Sequence, residues 1–144
     1  MLFRMSLAFS AVLLPACIAL GAPKPSEQRE CPVVEHSLDA IEAAIAKAAS
    51  CRESMEIFQA CAYGASGDVP LGGAVIGKCE GDFLTKLNAK ERQAYERELK
   101  RCWQKYRRES GTMYRSFEAM CAAAVAQAYS RRFLRAGGAK KRNG

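Results

Sequence analysis

Cysteine is the residue type of this chain with the widest chemistry, because a thiol can attack a substrate, bind a metal or form a cross-link. Seven cysteines occur in 144 residues. Six of them are dispersed over the chain after its first thirty residues: Cys31, Cys51, Cys61, Cys79, Cys102 and Cys121. Their spacing contains no Cys-x-x-Cys pair and no zinc-type ligand arrangement. An even, dispersed set in a short chain is typical of three disulfides formed in an oxidising compartment.

Other residue types that could support catalysis are sparse. His36 is the only histidine, and we interpret it as a solvated residue at the entry of a helix, since catalytic and metal sites need several convergent groups. Glu96 and Glu98 cannot share a helix face, so they form no acid–base pair. The sequence therefore predicts that the chain is not an enzyme, and it predicts no metal site and no cofactor.

The first residues of the chain have the composition of an export signal. A mainly apolar run over residues 7–20 is followed at once by polar residues, and it is shorter than the roughly 20 residues that a membrane-spanning helix needs. The layout predicts a signal peptide of residues 1–21, cleaved after Gly21. The alternative is a lipoprotein signal that ends before Cys17, because Leu-Pro-Ala-Cys resembles a lipobox. Both routes remove Cys17 from the pairing thiols.

Hydrophobic periodicity predicts helices and almost no strand. Apolar residues recur at intervals of three and four in these stretches: 38–49, 55–63, 70–83, 89–109 and 112–134. Ser37 and the pair Asn88 and Glu91 are good N-terminal caps, and Gly64 and Gly111 are good stops. The sequence therefore predicts an all-α fold.

We expect a small disulfide-stapled bundle of about four helices in antiparallel hairpins. Residues 22–36 would form an extended N-terminal segment, residues 37–135 the helical domain and residues 136–144 a disordered basic tail. The first two of these stretches could form one continuous helix over residues 38–63, which we call the first helical stretch. Whether Ser50 divides it into two helices stays open. We expect Pro70 at the first position of its helix. We also expect close contacts at the glycines that follow it, and a packed face in the last helix made of Phe117, Cys121, Ala124 and Ala128.

Helix geometry indicates one disulfide directly. In an antiparallel hairpin that turns at Gly111, Cys102 lies nine residues before the turn and Cys121 ten residues after it. Because a helix rises 1.5 Å per residue, the two cysteines reach nearly the same height. We therefore pair Cys102 with Cys121.

The pairing of the other four cysteines depends on whether the first helical stretch bends. Cys51 and Cys61 cannot bond within one helix, since ten residues separate them by about 15 Å along its axis. If the chain folds back at Ser50, the segment before the first helix returns alongside Cys61. The consistent set is then Cys31 with Cys61 and Cys51 with Cys79.

The net charge of +7 is unevenly distributed. Residues 22–130 hold fifteen basic and fifteen acidic side chains, of which residues 22–84 carry five basic and ten acidic ones. The excess of positive charge after residue 130 comes from six basic residues, which could bind an anionic surface of lipid headgroups or cell-wall polymers. They are Arg131, Arg132, Arg135, Lys140, Lys141 and Arg142. We expect no nucleic-acid partner, whereas the acidic half offers a face to a basic protein.

Aromatic and basic side chains alternate around the predicted turn between the last two helices. The candidate binding surface consists of Trp103, Tyr106, Arg107, Arg108 and Arg115. Such a combination binds anions, glycans or a protein partner. The alternative is that Trp103 and Tyr106, three residues apart on one helical face, belong to the core.

A family resemblance follows from the same part of the chain. The residues that carry it are Leu87, Tyr95, Trp103, Tyr106-Arg107, Gly111-Thr112-Met113 and Cys121. This stretch resembles the N-terminal domain of LprI-type lysozyme inhibitors (DUF1311). The resemblance implies an envelope-located, non-enzymatic helical domain, which inhibits lysozyme in a few members. Host-defence lysozymes are strongly basic, so an inhibitor should present acid, which residues 22–84 supply and the basic tail opposes.

These features together predict an exported, small helical binding or inhibitory module of the cell envelope, in the bacterial periplasm or secreted, with a lipoprotein as the alternative. A cell-wall hydrolase such as lysozyme is the candidate partner. The alternative function is that of a membrane-surface-associated basic helical protein of saposin-like character.

Overall fold

Five α-helices and no strand make up the part of the chain that the structure describes, residues 30–142 of a computed structural model. The helices are α1 (Leu38–Lys47), α2 (Cys51–Cys61), α3 (Asp68–Glu80), α4 (Ala89–Tyr106) and α5 (Thr112–Arg142), and a 3-10 turn, Leu84–Lys86, precedes α4. The predicted all-α, disulfide-stapled bundle is confirmed. The expected signal peptide, Cys17 and residues 22–29 of the expected extended segment lie outside the described residues.

The first helical stretch is two helices, so the bundle has five helices rather than about four. Ala48 leaves the helical conformation, and Ser50 caps α2 by accepting a hydrogen bond from the Glu53 N–H at 3.2 Å. The Glu53 carboxylate accepts in turn from the Ala49 N–H at 2.8 Å. These two side-chain acceptors satisfy N–H groups at the break, which is why the chain can turn there.

Capping also defines the hairpin of α4 and α5. The Glu91 N–H donates to Asn88 at 3.0 Å and the Asn88 N–H donates to the Glu91 carboxylate at 2.9 Å, which confirms the predicted capping box. Helix α4 ends at Tyr106, three residues earlier than expected. Gly111 adopts φ +108°, a conformation that favours glycine, and Thr112 is already the first residue of α5.

Two expectations about helix ends are wrong. Pro70 is the third residue of α3 rather than the first, which is tolerated because N–H groups of the first turn have no partner within the helix. Helix α5 continues to Arg142, so residues 136–142 of the expected disordered tail are helical. Extending an existing helix gains one hydrogen bond per residue, and basic side chains near its C-terminus interact favourably with the helix dipole.

Three disulfides tie the helices together. Cys31 bonds to Cys61 and fixes the N-terminal segment to the end of α2, Cys51 bonds to Cys79 between α2 and α3, and Cys102 bonds to Cys121 between α4 and α5. Their Cα atoms are 4.7, 4.6 and 5.6 Å apart. These are the pairs that helix geometry indicated.

Helix α5 lies at the centre of the packing, against both α3 and α4. Its buried residues are one large side chain, Tyr129, and five small ones, Ser116, Ala119, Ala123, Ala126 and Ser130. The predicted face of α5 is therefore wrong: Phe117 is 43% exposed. Helices approach closely only where side chains are small, which accounts for the buried alanines and serines of α5.

The crossing of α3 and α5 depends on one glycine. A Cβ atom at Gly72 would lie 3.0 Å from the Cβ and 3.0 Å from the carbonyl oxygen of Ala119. Gly73 and Gly77, in contrast, have open space where a Cβ would be. Close packing, expected for all the glycines of this helix, is thus required at Gly72 and absent from Gly73 and Gly77.

Candidate binding surfaces

The turn between α4 and α5 brings together part of the predicted binding surface. The ring centroids of Tyr106, Tyr114 and Phe117 are 6.0 to 6.4 Å apart in a triangle. The Lys105 ammonium lies 5.0 Å from the centre of the Tyr106 ring, a cation–π distance. We call residues 103–117, which include this triangle, the hairpin tip.

The other predicted residues of this surface differ in solvent exposure and in ion pairing. Trp103 is 46% exposed, so it is not part of the core. Arg107 and Arg108 are exposed in the turn itself. Arg115 forms a salt bridge of 3.0 Å with Glu118 one turn along α5. The hairpin tip thus exposes one indole and three guanidinium groups of the predicted set, of which that of Arg115 is ion-paired, while Tyr106 is half-buried against other rings.

Two exposed residues of the hairpin tip were not predicted as part of this surface. Met113 is 48% exposed, and Phe117, assigned to the packed face of its helix, is exposed to a similar degree. Because Met113 and Phe117 are four residues apart, they share one side of α5. Their four-residue spacing could have been used to predict that they share a side of the helix. It could not predict whether that side is packed or exposed.

A cleft of about 380 Å³ opens between the N-terminal segment and helices α1 and α2. Carboxylates and apolar side chains line it: Glu30, Glu53, Glu56, Pro32, Val33, Ala44, Ile57 and Ala60. The Cys31–Cys61 disulfide fixes the segment that forms one wall. We call this site the acidic cleft; no single motif of the sequence indicated it, since its walls come from three separate segments.

The surroundings of the acidic cleft are also acidic. Six acidic and two basic residues occur between positions 30 and 63. The acidic ones are Glu30, Glu35, Asp39, Glu42, Glu53 and Glu56, and all are at least partly exposed. His36 is exposed in the same segment, and its carbonyl oxygen accepts a hydrogen bond from the Tyr63 hydroxyl at 2.8 Å. The acidic half expected from the sequence thus provides a surface on α1, α2 and the segment before them.

Asp68 is a fully buried carboxylate that sequence reasoning missed. It accepts hydrogen bonds from the Tyr63 N–H at 2.8 Å, the Gly64 N–H at 3.0 Å and the Ser116 hydroxyl at 2.6 Å. These three donors satisfy a group that would otherwise be costly to bury. Asp68 therefore connects the turn between α2 and α3 to α5, and its role is structural.

Two tyrosine–glutamate pairs join other parts of the bundle. The Tyr95 hydroxyl donates to Glu80 at 2.9 Å and the Tyr129 hydroxyl donates to Glu98 at 3.0 Å. Burial, reinforced by the neighbouring Glu80 carboxylate, raises the pKa of Tyr95 far above its usual value. Burial likewise raises the pKa of Tyr129, although the Arg132 guanidinium, 4.6 Å from its ring centre, opposes the shift. Both phenols are thus held in their neutral form.

The basic end of α5 lies beyond the main core. Arg131 and Arg135 are exposed, Arg132 lies over Tyr129, and Leu134 is 56% exposed. Lys140, Lys141 and Arg142 belong to the last turns of the same helix. Among residues 30–142, no helix is both long and apolar enough to cross a membrane.

In the described part of the chain, no group of three or more His, Cys, Asp or Glu side chains could hold a metal ion. The candidate binding regions are the hairpin tip, the acidic cleft and the basic end of α5. Comparison of the chain with protein-family models, curated proteins and solved structures finds no match.

Proposed function

We propose that the chain is an exported binding module of the cell envelope that inhibits a basic cell-wall hydrolase such as lysozyme, and that the acidic cleft contacts this partner. The observation that carries the proposal is the combination in one cleft of three carboxylates, Glu30, Glu53 and Glu56, with an apolar lining. A lysine or arginine side chain of a basic partner has the matching composition, an apolar stem and a cationic head.

The distribution of charge supports this choice of surface. The basic residues of the chain are concentrated in α4, the hairpin tip and the end of α5, whereas residues 30–63 are acidic. A basic protein is therefore attracted to one side of the molecule and repelled by the other, which favours a single orientation of approach.

Export is the second component of the proposal. The three disulfides indicate an oxidising environment, and the N-terminal residues have the signal-peptide layout described above. The periplasm or the extracellular medium fits both features, with lipid attachment at Cys17 as the other way of retaining the protein in the envelope. The resemblance to lysozyme-inhibitor domains supports both components of the proposal, since it implies a location in the cell envelope and, in a few members, inhibition of lysozyme.

The test uses the oxidised protein purified after export. We expect it to slow the clearing of a cell-wall suspension by a basic lysozyme and to bind that enzyme at low salt, with affinity falling as salt rises. The double variant Glu30→Lys/Glu56→Lys should weaken binding at least about tenfold, since it places two like charges against the partner. The control Glu96→Lys/Glu109→Lys makes the same charge change on α4 and the turn and should have a smaller effect. No binding at low salt, or equal losses in both variants, contradicts the proposal.

A further inference from the structure

Exposed large hydrophobic side chains are concentrated at one end of the bundle. Of seven such residues in the described part of the chain, five lie near the turn between α2 and α3 or in the hairpin tip: Tyr63, Val69, Trp103, Met113 and Phe117. The hydrogen bond from Ser116 to Asp68 places these two turns side by side. We call these five residues the apolar end.

The apolar end is accompanied by positive charge on its α4–α5 side. The hairpin tip has four basic residues, Lys105, Arg107, Arg108 and Arg115, and one acidic residue, Glu109. Arg107 and Arg108 are exposed in the turn. Glu35 and Asp39 border the opposite side, since the carbonyl of His36 is bonded to the Tyr63 hydroxyl. An anionic surface would therefore meet the apolar end through the hairpin tip.

The exposed aromatic side chains of the hairpin tip lie close to the turn, on two helices that are cross-linked to each other. Trp103 on α4 and Phe117 on α5 both lie within about 8 Å of the turn along the helix axes. The Cys102–Cys121 disulfide fixes the two helices to each other immediately behind these residues. The backbones that carry the exposed side chains are thus held in fixed relative positions, which lowers the ordering cost of binding.

We propose that the hairpin tip binds the surface of an anionic lipid bilayer, with Trp103, Met113 and Phe117 entering the interface and Arg107 and Arg108 contacting headgroups. Aromatic and apolar side chains gain from contact with the headgroup–acyl boundary, and each basic residue near an anionic membrane strengthens the attraction. This role goes beyond hydrolase binding and uses a different surface from the acidic cleft. The basic end of α5 has comparable charge but only one exposed large apolar side chain among its described residues, Leu134, so it fits the membrane interface less well.

Trp103 provides the direct readout, because it is the only tryptophan of the chain. The protein purified after export is mixed with vesicles of phosphatidylcholine and phosphatidylglycerol (3:1), or of phosphatidylcholine alone. We expect sedimentation with the anionic vesicles, a shift of Trp103 emission to shorter wavelength, and quenching by lipids brominated along the acyl chain. Binding without any change in Trp103 fluorescence overturns the proposal.

Matched variants locate the contact. Phe117→Ser/Arg107→Gln/Arg108→Gln should lower the vesicle partition coefficient at least about tenfold. The control Leu134→Ser/Lys47→Gln/Lys90→Gln removes the same kinds of group elsewhere and should leave most of the binding. Because Phe117 packs against Tyr106, circular dichroism checks the fold, and Arg107→Gln/Arg108→Gln, which alters only exposed side chains, should show a smaller loss in the same direction.

Other occupants of the apolar end give different results. A chain that ends at Arg135 should still bind; loss of binding in that chain, with the hairpin-tip variants unaffected, assigns the contact to the end of α5 and overturns the proposal. Equal binding to both kinds of vesicle excludes the role of Arg107 and Arg108 and overturns it as well. A dimer in sedimentation equilibrium that the Phe117 variant dissociates, with no vesicle binding, identifies a second copy of the chain as the occupant instead.

Discussion

Ser116 donates a hydrogen bond of 2.6 Å to the buried carboxylate of Asp68, which lies 48 residues earlier in the sequence. This contact joins the turn between α2 and α3 to the first part of α5. Asp68 also accepts two backbone N–H groups of that turn, from Tyr63 and Gly64. One satisfied acidic group thus helps to fix the turn between α2 and α3 against α5.

Asp68→Ala should destabilise the protein by about 3 kcal/mol or more, because it leaves buried donors without a partner. Ser116→Ala, which removes one donor, should cost about 1.5 kcal/mol. Asp39→Ala is the control, since Asp39 is an exposed acid in the first turn of α1 and should cost less than about 1 kcal/mol. Denaturant unfolding of the oxidised proteins measures all three, and equal losses for Asp68 and Asp39 would contradict the structural role.

Gly72 and Gly73 form a natural pair for testing the crossing of α3 and α5. Gly72→Ala places a methyl group 3.0 Å from Ala119 atoms, and we expect a loss of about 1–3 kcal/mol from overpacking. Gly73→Ala has open space and should gain up to about 1 kcal/mol from helix propensity. Thermal unfolding of the two variants should therefore move in opposite directions; a shift of both in one direction would be inconsistent with the close approach at Gly72.

Because Tyr95 is buried, the free energy of unfolding should depend on pH in the alkaline range. Its folded pKa is raised by burial and by Glu80, so above the ordinary tyrosine pKa of about 10 the unfolded chain releases a proton that the folded chain retains. The contribution of Tyr95 is complete below pH 10 and is lost as pH rises, by about 1.4 kcal/mol per pH unit. Tyr95→Phe should reduce this slope while costing about 1 kcal/mol at neutral pH for the lost hydrogen bond. Unfolding free energies between pH 8 and 11.5 give the slopes, and an identical slope in the variant refutes the assignment.

Helix-capping preferences, turn residues and the helix rise predicted the features that depend on residues near each other in the sequence. The Asn88–Glu91 capping box and the turn at Gly111 involve short-range geometry, and the Cys102–Cys121 pair follows from the helix rise on either side of that turn. The partner of Asp68 could not be predicted in this way, because Ser116 reaches it only through the tertiary packing of α5.

Exposure was harder to predict than secondary structure. Phe117 has the hydrophobicity of a core residue, yet the buried positions of α5 nearest to it, Ser116 and Ala119, hold small side chains because α3 approaches closely at Ala119. The acidic cleft could not be read from the sequence for a related reason. One of its walls is the segment before α1, which the Cys31–Cys61 disulfide attaches to the end of α2.

The Cys31–Cys61 disulfide should matter more for partner binding than for the fold of the rest of the bundle. It fixes the segment that carries Glu30, Pro32 and Val33 against the acidic cleft. Cys31→Ser/Cys61→Ser should therefore weaken binding of a basic lysozyme at least about tenfold. Cys102→Ser/Cys121→Ser should leave that affinity nearly unchanged, because its bond lies in the α4–α5 hairpin.

Both double variants lose a loop constraint, which is typically worth about 2–4 kcal/mol, so a difference in affinity between them cannot come from overall stability alone. Calorimetric titration at a temperature where both remain folded makes the comparison. If the two variants bind equally well, the N-terminal segment is not a wall of the binding site, and the partner contacts a different surface of the bundle.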